Sequence, residues 1–284
     1  MFQIIGCPMH YGVGAKGLIH SVEYLRDYCK DLDIQILPEI PVTEDVSLKN
    51  LKNLNGVISN CEHIAKFGHK ILTAGRIPLY VAGDHSAAIG TVSASSSFFH
   101  RDLGLIWIDA HPDINTDKTT VTGNIHGMPV AALLGLGEKK LVNIFKNGPK
   151  LKPENVVMLG LRDIDPPEAV ILKEQKIRYY TYEDILKKGL QNCLDETVDH
   201  LSHVKHVHLS FDIDAMDPQL FPGVSVPVAS GFHEEDAYTM LETLQDYLPI
   251  CSYDVVEFNH QYDIDNTTAD FTQRLIRYMI KRHL

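Results

Sequence analysis

The sequence has 284 residues, 44% of them hydrophobic, and a mean hydropathy of −0.09. This length is enough to bury a substantial core in one large α/β domain or two small ones. No apolar stretch approaches the ~20 residues that span a bilayer, so we expect a soluble protein with no membrane attachment. The formal net charge of −11 argues against nucleic acid as a partner and is compatible with a cationic substrate.

The N-terminal segment and the cysteines predict a location. Residues 1–6 lack a basic segment followed by a long apolar run, so no secretory signal is expected. The five cysteines are odd in number, widely separated and without CxxC spacing. We therefore expect reduced thiols in a cytoplasmic protein.

Strand-like and helix-like segments alternate along the chain. Predicted strands lie at 2–6, 34–37, 78–82, 104–109, 155–160, 177–180, 206–212 and 251–257. Predicted helices lie at 16–29, 48–74, 85–95, 128–145, 166–174, 182–203, 233–247 and 269–281. This alternation favours a parallel sheet covered on both faces. No linker, repeat or low-complexity segment interrupts it, so we predict one domain over residues 1–284.

Acids and histidines follow three of the predicted strands. They are His85, Asp109, His111, Asp113, Asp212 and Asp214. Side chains at i, i+2 and i+4 of an extended chain lie on one side. Asp109, His111 and Asp113 should therefore project together, as should the acids at 212 and 214. In parallel sheets, ligands bind beyond the carboxyl ends of the strands, where these residues fall.

This set of side chains predicts a binuclear metal site. Four aspartates and two histidines are too many acids for a single structural zinc, which usually takes four Cys and His ligands. Shared between two divalent ions, four carboxylates balance the charge and leave room for one bound hydroxide. The pattern is typical of a two-metal hydrolase, with hard to borderline divalent ions.

Two neighbouring features have a structural and a functional interpretation. Asp84 either orients an imidazole beside the metals or caps the helix that begins at His85. Four histidines crowd residues 200–208, at positions 200, 203, 206 and 208. Their spacing crosses from a helix end into a strand, so we expect a structural role for them rather than a zinc site.

Glu257 ends the last predicted strand and directs an anion towards the same edge of the sheet. Such a carboxylate is either an exposed strand-end acid or a group that binds a cationic part of the substrate.

Five motifs, in chain order, resemble the signature set of the arginase branch of the ureohydrolases. They are GDHS, DAHPDINT, TTVTGNIHG, GLRDIDPPE and SFDIDAMDP. The resemblance implies a three-layer α/β/α fold with an eight-stranded parallel sheet. It also implies hydrolysis of L-arginine to L-ornithine and urea, two Mn²⁺ per chain, and a homo-oligomer that is a trimer or hexamer.

The resemblance also divides the metal ligands between the two ions. Asp109 and Asp212 would bridge both ions. The other ligands, two for each ion, would be His85 with Asp113 and His111 with Asp214. Asp113, beside the attacking oxygen, could pass a proton to the leaving amine.

Further residues match substrate-binding positions of the family. Those that match Asn115, Thr122 and Asn124 contact the α-carboxylate, and those that match Asp165 and Glu168 bind the α-amino group. From the residues alone, the stretch 165–168 predicts a helix start with an acid in its first turn, and both interpretations can hold together.

His126 matches a histidine proposed to shuttle protons, for which an imidazole is suited. Glu257 is the candidate for fixing the substrate's guanidinium group, which is planar, permanently charged and well recognised by a carboxylate. Asp113, His126 and Glu257 form the expected catalytic set.

The chain departs from the family pattern near the guanidinium side. Ser225-Val226 stands where many arginases and agmatinases have Gly-Thr, and the stretch around it also resembles formimidoylglutamases. Phe258 and His260 replace the usual valine and proline. Two alternatives to arginase therefore remain. One is a ureohydrolase acting on agmatine, formimidoylglutamate or another guanidino acid, and the other is a non-catalytic metal-binding relative.

Overall fold

Eight parallel strands form one sheet in the computed structural model, which describes residues 1–15, 17–42, 48, 50–100 and 102–281. They are β1 (Phe2–Cys7), β2 (Ile34–Ile36), β3 (Ile77–Ala82), β4 (Gly104–Ile108), β5 (Val156–Leu161), β6 (Arg178–Thr181), β7 (Val207–Asp212) and β8 (Ile250–Val256). The spatial order is β2-β1-β3-β8-β7-β4-β5-β6, with every pair parallel. The predicted fold class is confirmed, and each predicted strand is present to within one residue at either end.

Ten helices connect these strands in the described part of the chain. They are α1 (Gly17–Tyr28), α2 (Leu54–Thr73), α3 (Ala88–Phe98), α4 (Pro129–Leu133), α5 (Lys139–Val142), α6 (Pro166–Gln175), α7 (Tyr182–Lys188), α8 (Leu190–Leu201), α9 (Glu234–Tyr247) and α10 (Thr267–Lys281). None of these helices is both long and apolar enough to cross a membrane.

The sheet is buried on both faces because successive strand residues alternate between apolar clusters on its opposite sides. Ile4 packs with side chains of α1, α8, α9 and α10, whereas its neighbour Ile5 packs with those of α2. In β4, Ile106 joins the first cluster and Trp107 packs with α3 and α4. Alternate residues of a strand point to opposite faces, so an uninterrupted apolar run produces the middle layer of three.

Three predicted helices differ from the observed ones. Residues 128–145 form α4 and α5 rather than one helix, because Gly135 has a φ of 87° and ends the first. Residues 182–203 are likewise divided at Gly189, which also has a φ of 87°. This left-handed conformation favours glycine and does not continue a helix.

The third difference concerns α2, predicted over residues 48–74. The helix begins at Leu54, since Asn53 has a left-handed φ of 53° and its side-chain amide donates to the Tyr11 carbonyl. Lys49, in that predicted helix, and Lys16, the predicted start of α1, lie outside the described residues.

The strand order brings together segments that are distant in sequence. Strands β3, β8, β7 and β4 are consecutive neighbours at the centre of the sheet. His85 follows β3, Asp109 follows β4, Asp212 ends β7 and Glu257 follows β8. Their side chains therefore meet at one edge of the sheet.

Candidate metal centre and active site

His85 is held in one orientation by the strands beneath it. Its ring is fully buried and stacks on Trp107, with ring centroids 3.8 Å apart and an interplanar angle of 6°. Its Nε2 lies 2.9 Å from the Ser210 hydroxyl. The other ring nitrogen, Nδ1, therefore faces the carboxylates at the sheet edge.

Three carboxylate oxygens surround that nitrogen. His85 Nδ1 lies 3.0 Å from Asp109 Oδ2, 3.0 Å from Asp212 Oδ2 and 3.4 Å from Asp113 Oδ2. Both His85 Nδ1 and Asp109 Oδ2 are buried without a hydrogen bond of acceptable geometry. Such atoms are costly in a protein interior unless they coordinate an ion.

A second group lies next to the first and shares Asp109 with it. His111 Nδ1 lies 3.1 Å from Asp214 Oδ2 and 3.5 Å from Asp109 Oδ1. The ligand atoms of His85, Asp109 and Asp212 lie within 4.8 Å of one another, as do those of Asp109, His111 and Asp214. Two adjacent His/Asp groups with a common carboxylate fit a pair of cations.

Backbone amides at the strand ends orient the carboxylates. The His111 N–H donates to Asp109 Oδ1 over 2.6 Å, and the Asp214 N–H donates to Asp212 Oδ1 over 2.7 Å. In both cases an Asp accepts from the residue two positions on, which is the local geometry of an Asx turn. This leaves Asp109 Oδ2 and Asp212 Oδ2 directed at His85.

The electrostatics of this cluster also favour bound cations. Burial, together with the charge of Asp109, raises the pKa of Asp113 well above its usual range. Burial, with the charges of Asp214 and Asp109, does the same to the pKa of Asp212. Divalent cations would remove this repulsion and favour the ionised carboxylates.

Asp113 lies at the edge of the first group rather than within it. Its backbone has a left-handed φ of 47°, and its carbonyl accepts from the Val130 N–H over 3.0 Å at the start of α4. A non-glycine residue in this conformation needs support from its surroundings, and such residues are concentrated at functional sites. Its assignment as a metal ligand remains a prediction.

A cavity of about 250 Å³ opens above the two groups. Its lining includes eleven of the thirteen predicted site residues, and the two others, His85 and Asp109, are buried beneath it. The lining residues are His111, Asp113, Asn115, Thr120, Val121, Thr122, Asn124, His126, Gly127, Asp163, Asp165, Glu168, Asp212, Asp214, Val226 and Glu257. Seven of these sixteen are acids, so the cavity is suited to a cation.

Glu257 contributes a carboxylate oxygen that is free to bind a ligand. Its Oε1 accepts from the His85 N–H over 2.9 Å and lies 3.1 Å from His126 Nδ1. Its Oε2 is buried with no hydrogen-bond partner, and its backbone has a left-handed φ of 64°. Burial disfavours charge on His126, but the hydrogen bond and charge of Glu257 outweigh it and raise the pKa of the imidazole.

Asn115 and Asp165 are linked across one wall of the cavity. The Asn115 amide donates to Asp165 Oδ2 over 3.1 Å, and Thr119 donates to the Asn115 side-chain oxygen over 2.9 Å. Thr122 and Asn124 lie further out, where the Thr122 hydroxyl accepts from the Asn124 N–H over 3.1 Å. The four predicted residues therefore lie along the same cavity, from its wall to its opening.

Glu168 combines the two interpretations of the stretch 165–168. Helix α6 begins at Pro166, and Glu168 Oε2 accepts from the Asp165 N–H over 3.1 Å, as expected for the acid of a first helical turn. Its Oε1 accepts from the Ile114 N–H over 3.1 Å. Burial raises the pKa of Glu168 to about 7.

The sequence interpretation missed two residues next to the metal ligands. Asp163 lines the cavity, with Oδ2 3.8 Å from His111 Nε2. The Arg162 guanidinium donates to the Asp214 carbonyl over 2.6 Å and to the Ala215 carbonyl over 3.1 Å, holding the turn after β7. Both precede Asp165 in the GLRDIDPPE stretch. This closeness in sequence to a predicted site residue was the signal that could have identified them.

Asp84 caps the helical turn and does not orient an imidazole. It accepts from the Ser86 N–H over 2.9 Å and from the Gly12 N–H over 2.8 Å. The Gly12 carbonyl in turn accepts from the His126 N–H over 3.2 Å. Asp84 thus supports the segment that carries His126 through the backbone.

The four histidines of 200–208 do not converge. His200 contacts the Glu154 carbonyl, His203 contacts Asn155, His206 stacks on Phe99 and His208 contacts Asp254. Each histidine has a different partner, as expected for residues with a structural role.

The departures from the family pattern lie at different distances from the cavity. The Val226 side chain lines it, whereas the Ser225 hydroxyl accepts from the Asn259 amide over 3.0 Å. Phe258 is buried in the core, and His260 contacts the Ser21 hydroxyl and stacks on Tyr24. Of these departures, Val226 is the one that contributes to the cavity lining.

Comparisons with known proteins agree with this geometry. The model of the arginase family matches residues 1–281. An arginase of Brevibacillus brevis is 42% identical over 94% of this chain and 93% of its own. The crystal structure of arginase from Bacillus subtilis has a TM-score of 0.89 at 36% identity, covering 99% of this chain and 98% of its own. Entamoeba histolytica arginase, solved in complex with L-ornithine, has a TM-score of 0.89 at 25% identity and covers 98% of both chains.

Proposed function

The chain belongs to the arginase family, and on that premise we propose that it hydrolyses L-arginine to L-ornithine and urea with two Mn²⁺ bound per chain. The observation that carries this proposal is the pair of buried His/Asp groups sharing Asp109, beneath an acidic cavity into which Glu257 presents a free carboxylate oxygen.

In this proposal Asp109 and Asp212 would contribute to both ion sites. The remaining ligands would be His85 with Asp113 at one site and His111 with Asp214 at the other. A carboxylate-rich set with one imidazole per ion suits manganese, although other divalent metals compete by affinity. When bound, two such ions supply a hydroxide nucleophile near neutral pH and polarise the group under attack.

Glu257 holds the guanidinium above the metal centre. Its Oε1 is occupied by the His85 N–H, which leaves Oε2 to accept from the substrate. A guanidinium carbon is a poor electrophile because its charge is delocalised, so its orientation matters for attack. The His85 N–H holds the Glu257 carboxylate at Oε1, and the Glu257 N–H donates to the Gly83 carbonyl, so both contacts fix that orientation.

The amino-acid end of the substrate extends towards the cavity opening. Asn115, Thr122 and Asn124 offer amide and hydroxyl donors to the α-carboxylate. Asp165 and Glu168 offer carboxylates to the α-amino group. The charges of this wall match those of an amino acid rather than those of a neutral ligand.

Two groups move protons in the proposed reaction. Asp113, at the cavity beside His85, would take the proton of the attacking oxygen and pass it to the leaving amine. His126, paired with Glu257 and facing the cavity, exchanges protons with solvent through its imidazole. An imidazole is suited to this exchange because its charge changes near neutral pH.

Other substrates of the wider family fit less well. Agmatine has no α-carboxylate, so it would not use Asn115 and Thr122. Formimidoylglutamate is anionic and would enter a cavity that keeps four acids besides the proposed metal ligands, namely Asp163, Asp165, Glu168 and Glu257. A non-catalytic relative would have no chemical need for two metal-ligand groups with a shared carboxylate.

The assembly and location belong to the same proposal. We expect a homo-oligomer, either a trimer or a hexamer, in the cytoplasm. The five cysteines are buried with free thiols, which is typical of a reducing compartment.

The deciding experiment supplies manganese-loaded protein with L-arginine, agmatine or formimidoylglutamate, and it measures urea from the first two and formamide from the third. We expect turnover of L-arginine far above the other two. The control is Asp109→Asn, which keeps the side-chain shape but removes the shared charge, and should reduce turnover on the order of 10⁴-fold, as when one member of a catalytic unit is lost. Two bound ions without urea release from L-arginine would refute the proposed substrate.

A further inference from the structure

A chain of buried polar side chains continues from His85 into the sheet. The Ser210 hydroxyl lies 2.9 Å from His85 Nε2 and 3.3 Å from Asp254 Oδ2. Ser210 and Asp254 are direct neighbours in the register of β7 and β8. The Asp254 side chain is 1% exposed and takes no part in the proposed reaction.

Two further side chains contact Asp254, and a third contacts one of them. Thr91, on α3, donates to Asp254 Oδ2 over 2.8 Å, and His208 Nε2 lies 2.9 Å from the same oxygen. His208 Nδ1 lies 2.6 Å from the Ser252 hydroxyl, which the strand register also places beside it. All of these residues are fully buried.

Burying these polar side chains costs free energy, and a purely structural role does not explain that cost. A carboxylate in the interior loses its hydration, and apolar residues of similar volume often stabilise a core at least as well as a buried ionic pair. The contact between Asp254 and His85, through a single hydroxyl, offers a functional reason for keeping the charge there.

The hydrogen-bond chemistry of this chain has only one consistent direction. A carboxylate accepts and does not donate, so the single Ser210 hydroxyl proton is directed to Asp254. The Ser210 oxygen is then left to accept, and His85 must donate through Nε2–H. That tautomer leaves a lone pair on Nδ1, the nitrogen that faces Asp109 and Asp212.

We propose that Asp254, held by His208, is a positioning residue that sets the tautomer and basicity of His85 through Ser210. A carboxylate that acts on a metal-binding imidazole fixes the ring and strengthens it as a ligand. In this protein the Ser210 hydroxyl lies between the Asp254 carboxylate and the His85 imidazole. This inference rests on the proposed metal site, though not on the identity of the substrate.

The test is manganese binding to metal-free protein by isothermal titration calorimetry, with thermal unfolding measured in parallel. Asp254→Asn removes the charge, and its amide can donate to Ser210 and reverse the hydrogen-bond direction. We expect affinity at one of the two sites to fall about 10–100-fold, with the other site unchanged. Ser210→Ala should weaken the same site, and the double variant should be no weaker than Ser210→Ala alone.

Thr197→Val is the matched control. It removes the hydrogen bond from a fully buried hydroxyl to the Cys193 carbonyl within α8, outside the polar chain behind His85, so it should lower stability without changing manganese affinity. Wild-type affinity at both sites in Asp254→Asn and Ser210→Ala would overturn the inference, as would an equal loss in Thr197→Val. The readout is affinity, so a wild-type protein that binds two ions but releases no urea would refute only the proposed reaction.

Discussion

The floor of the cavity lies on strand ends, whereas its mouth lies on a loop. His85, Asp109, Asp212 and Glu257, which form the floor, follow four adjacent central strands and are almost fully buried. The mouth, residues 120–124, belongs to the long connection between β4 and α4, and its Val121 is 89% exposed. The sheet positions each side chain of the floor, whereas the mouth is held by hydrogen bonds within the loop and by those from Lys52 to Gly123 and Asn124.

The two regions therefore differ in what a substitution can change. At the floor, one side chain serves several partners, as Asp109 does for both imidazoles. At the mouth, each polar group has few partners and remains close to solvent. We expect substitutions at the floor to affect metal binding or the reaction itself, and those at the mouth to affect substrate affinity alone.

The largest of the effects that test this comparison is expected at Glu257. Glu257→Gln keeps an oxygen to accept from the His85 N–H but removes the charge that faces the guanidinium. A hydrogen bond to a charged group contributes about 1.5–3 kcal/mol, so kcat/KM for L-arginine should fall about 10–150-fold. Steady-state kinetics measure this, with manganese content as the control, and an unchanged kcat/KM would remove Glu257 from substrate binding.

Glu168 lies between floor and mouth, and we expect an intermediate effect there. The quantity affected is the dependence of the free energy of unfolding on pH. Burial raises its pKa to about 7 from 4.5, so the folded state holds this proton more tightly than the unfolded state does. The contribution of Glu168 to the stability of the folded state is therefore fully present below about pH 4.5 and is lost as pH rises through about 7.

Glu168→Gln should remove that decline. The free energy of unfolding in urea, compared between pH 4 and pH 8, should differ between variant and wild type by roughly 1–3 kcal/mol. Parallel pH profiles for the two proteins would show that Glu168 titrates normally in the fold.

The smallest effect is expected at the mouth. Thr122→Val keeps the side-chain shape and removes a neutral hydroxyl, worth about 0.5–1.5 kcal/mol. KM for L-arginine should rise about 2- to 10-fold, with kcat and manganese affinity unchanged. A fall in kcat at constant KM would contradict the separation between mouth and floor.

Local patterns were sufficient to predict most of the fold. The eight strands were predicted because each is a short, mostly apolar run, and the alternation with helices implied a parallel sheet. The spacing by two in the stretches 109–113 and 212–214 predicted which acids share a side, because this depends only on the extended backbone. Helix interruptions were less accessible, since Gly135 and Gly189 break helical patterns that otherwise continue.

Other features depend on contacts between distant segments. The Asp84 carboxylate caps the turn by accepting from the Ser86 N–H, and its other oxygen accepts from Gly12, 72 residues away, a contact that the local sequence does not predict. Asp163 belongs to the site because its carboxylate lies 3.8 Å from His111 Nε2, a distance that the fold decides. In the sequence it stands close to predicted site residues but does not itself differ from an exposed loop acid.

The sequence by itself determined the ligand types, their spacing and the end of the strand at which they lie, because these follow from local backbone geometry. Only the tertiary structure decided that β8 lies between β3 and β7. That order places Glu257 beside His85 and Asp254 beside Ser210. Strand order is decided by packing over the whole chain, so neither the contact between Glu257 and His85 nor the polar chain behind His85 could be located before the sheet was assembled.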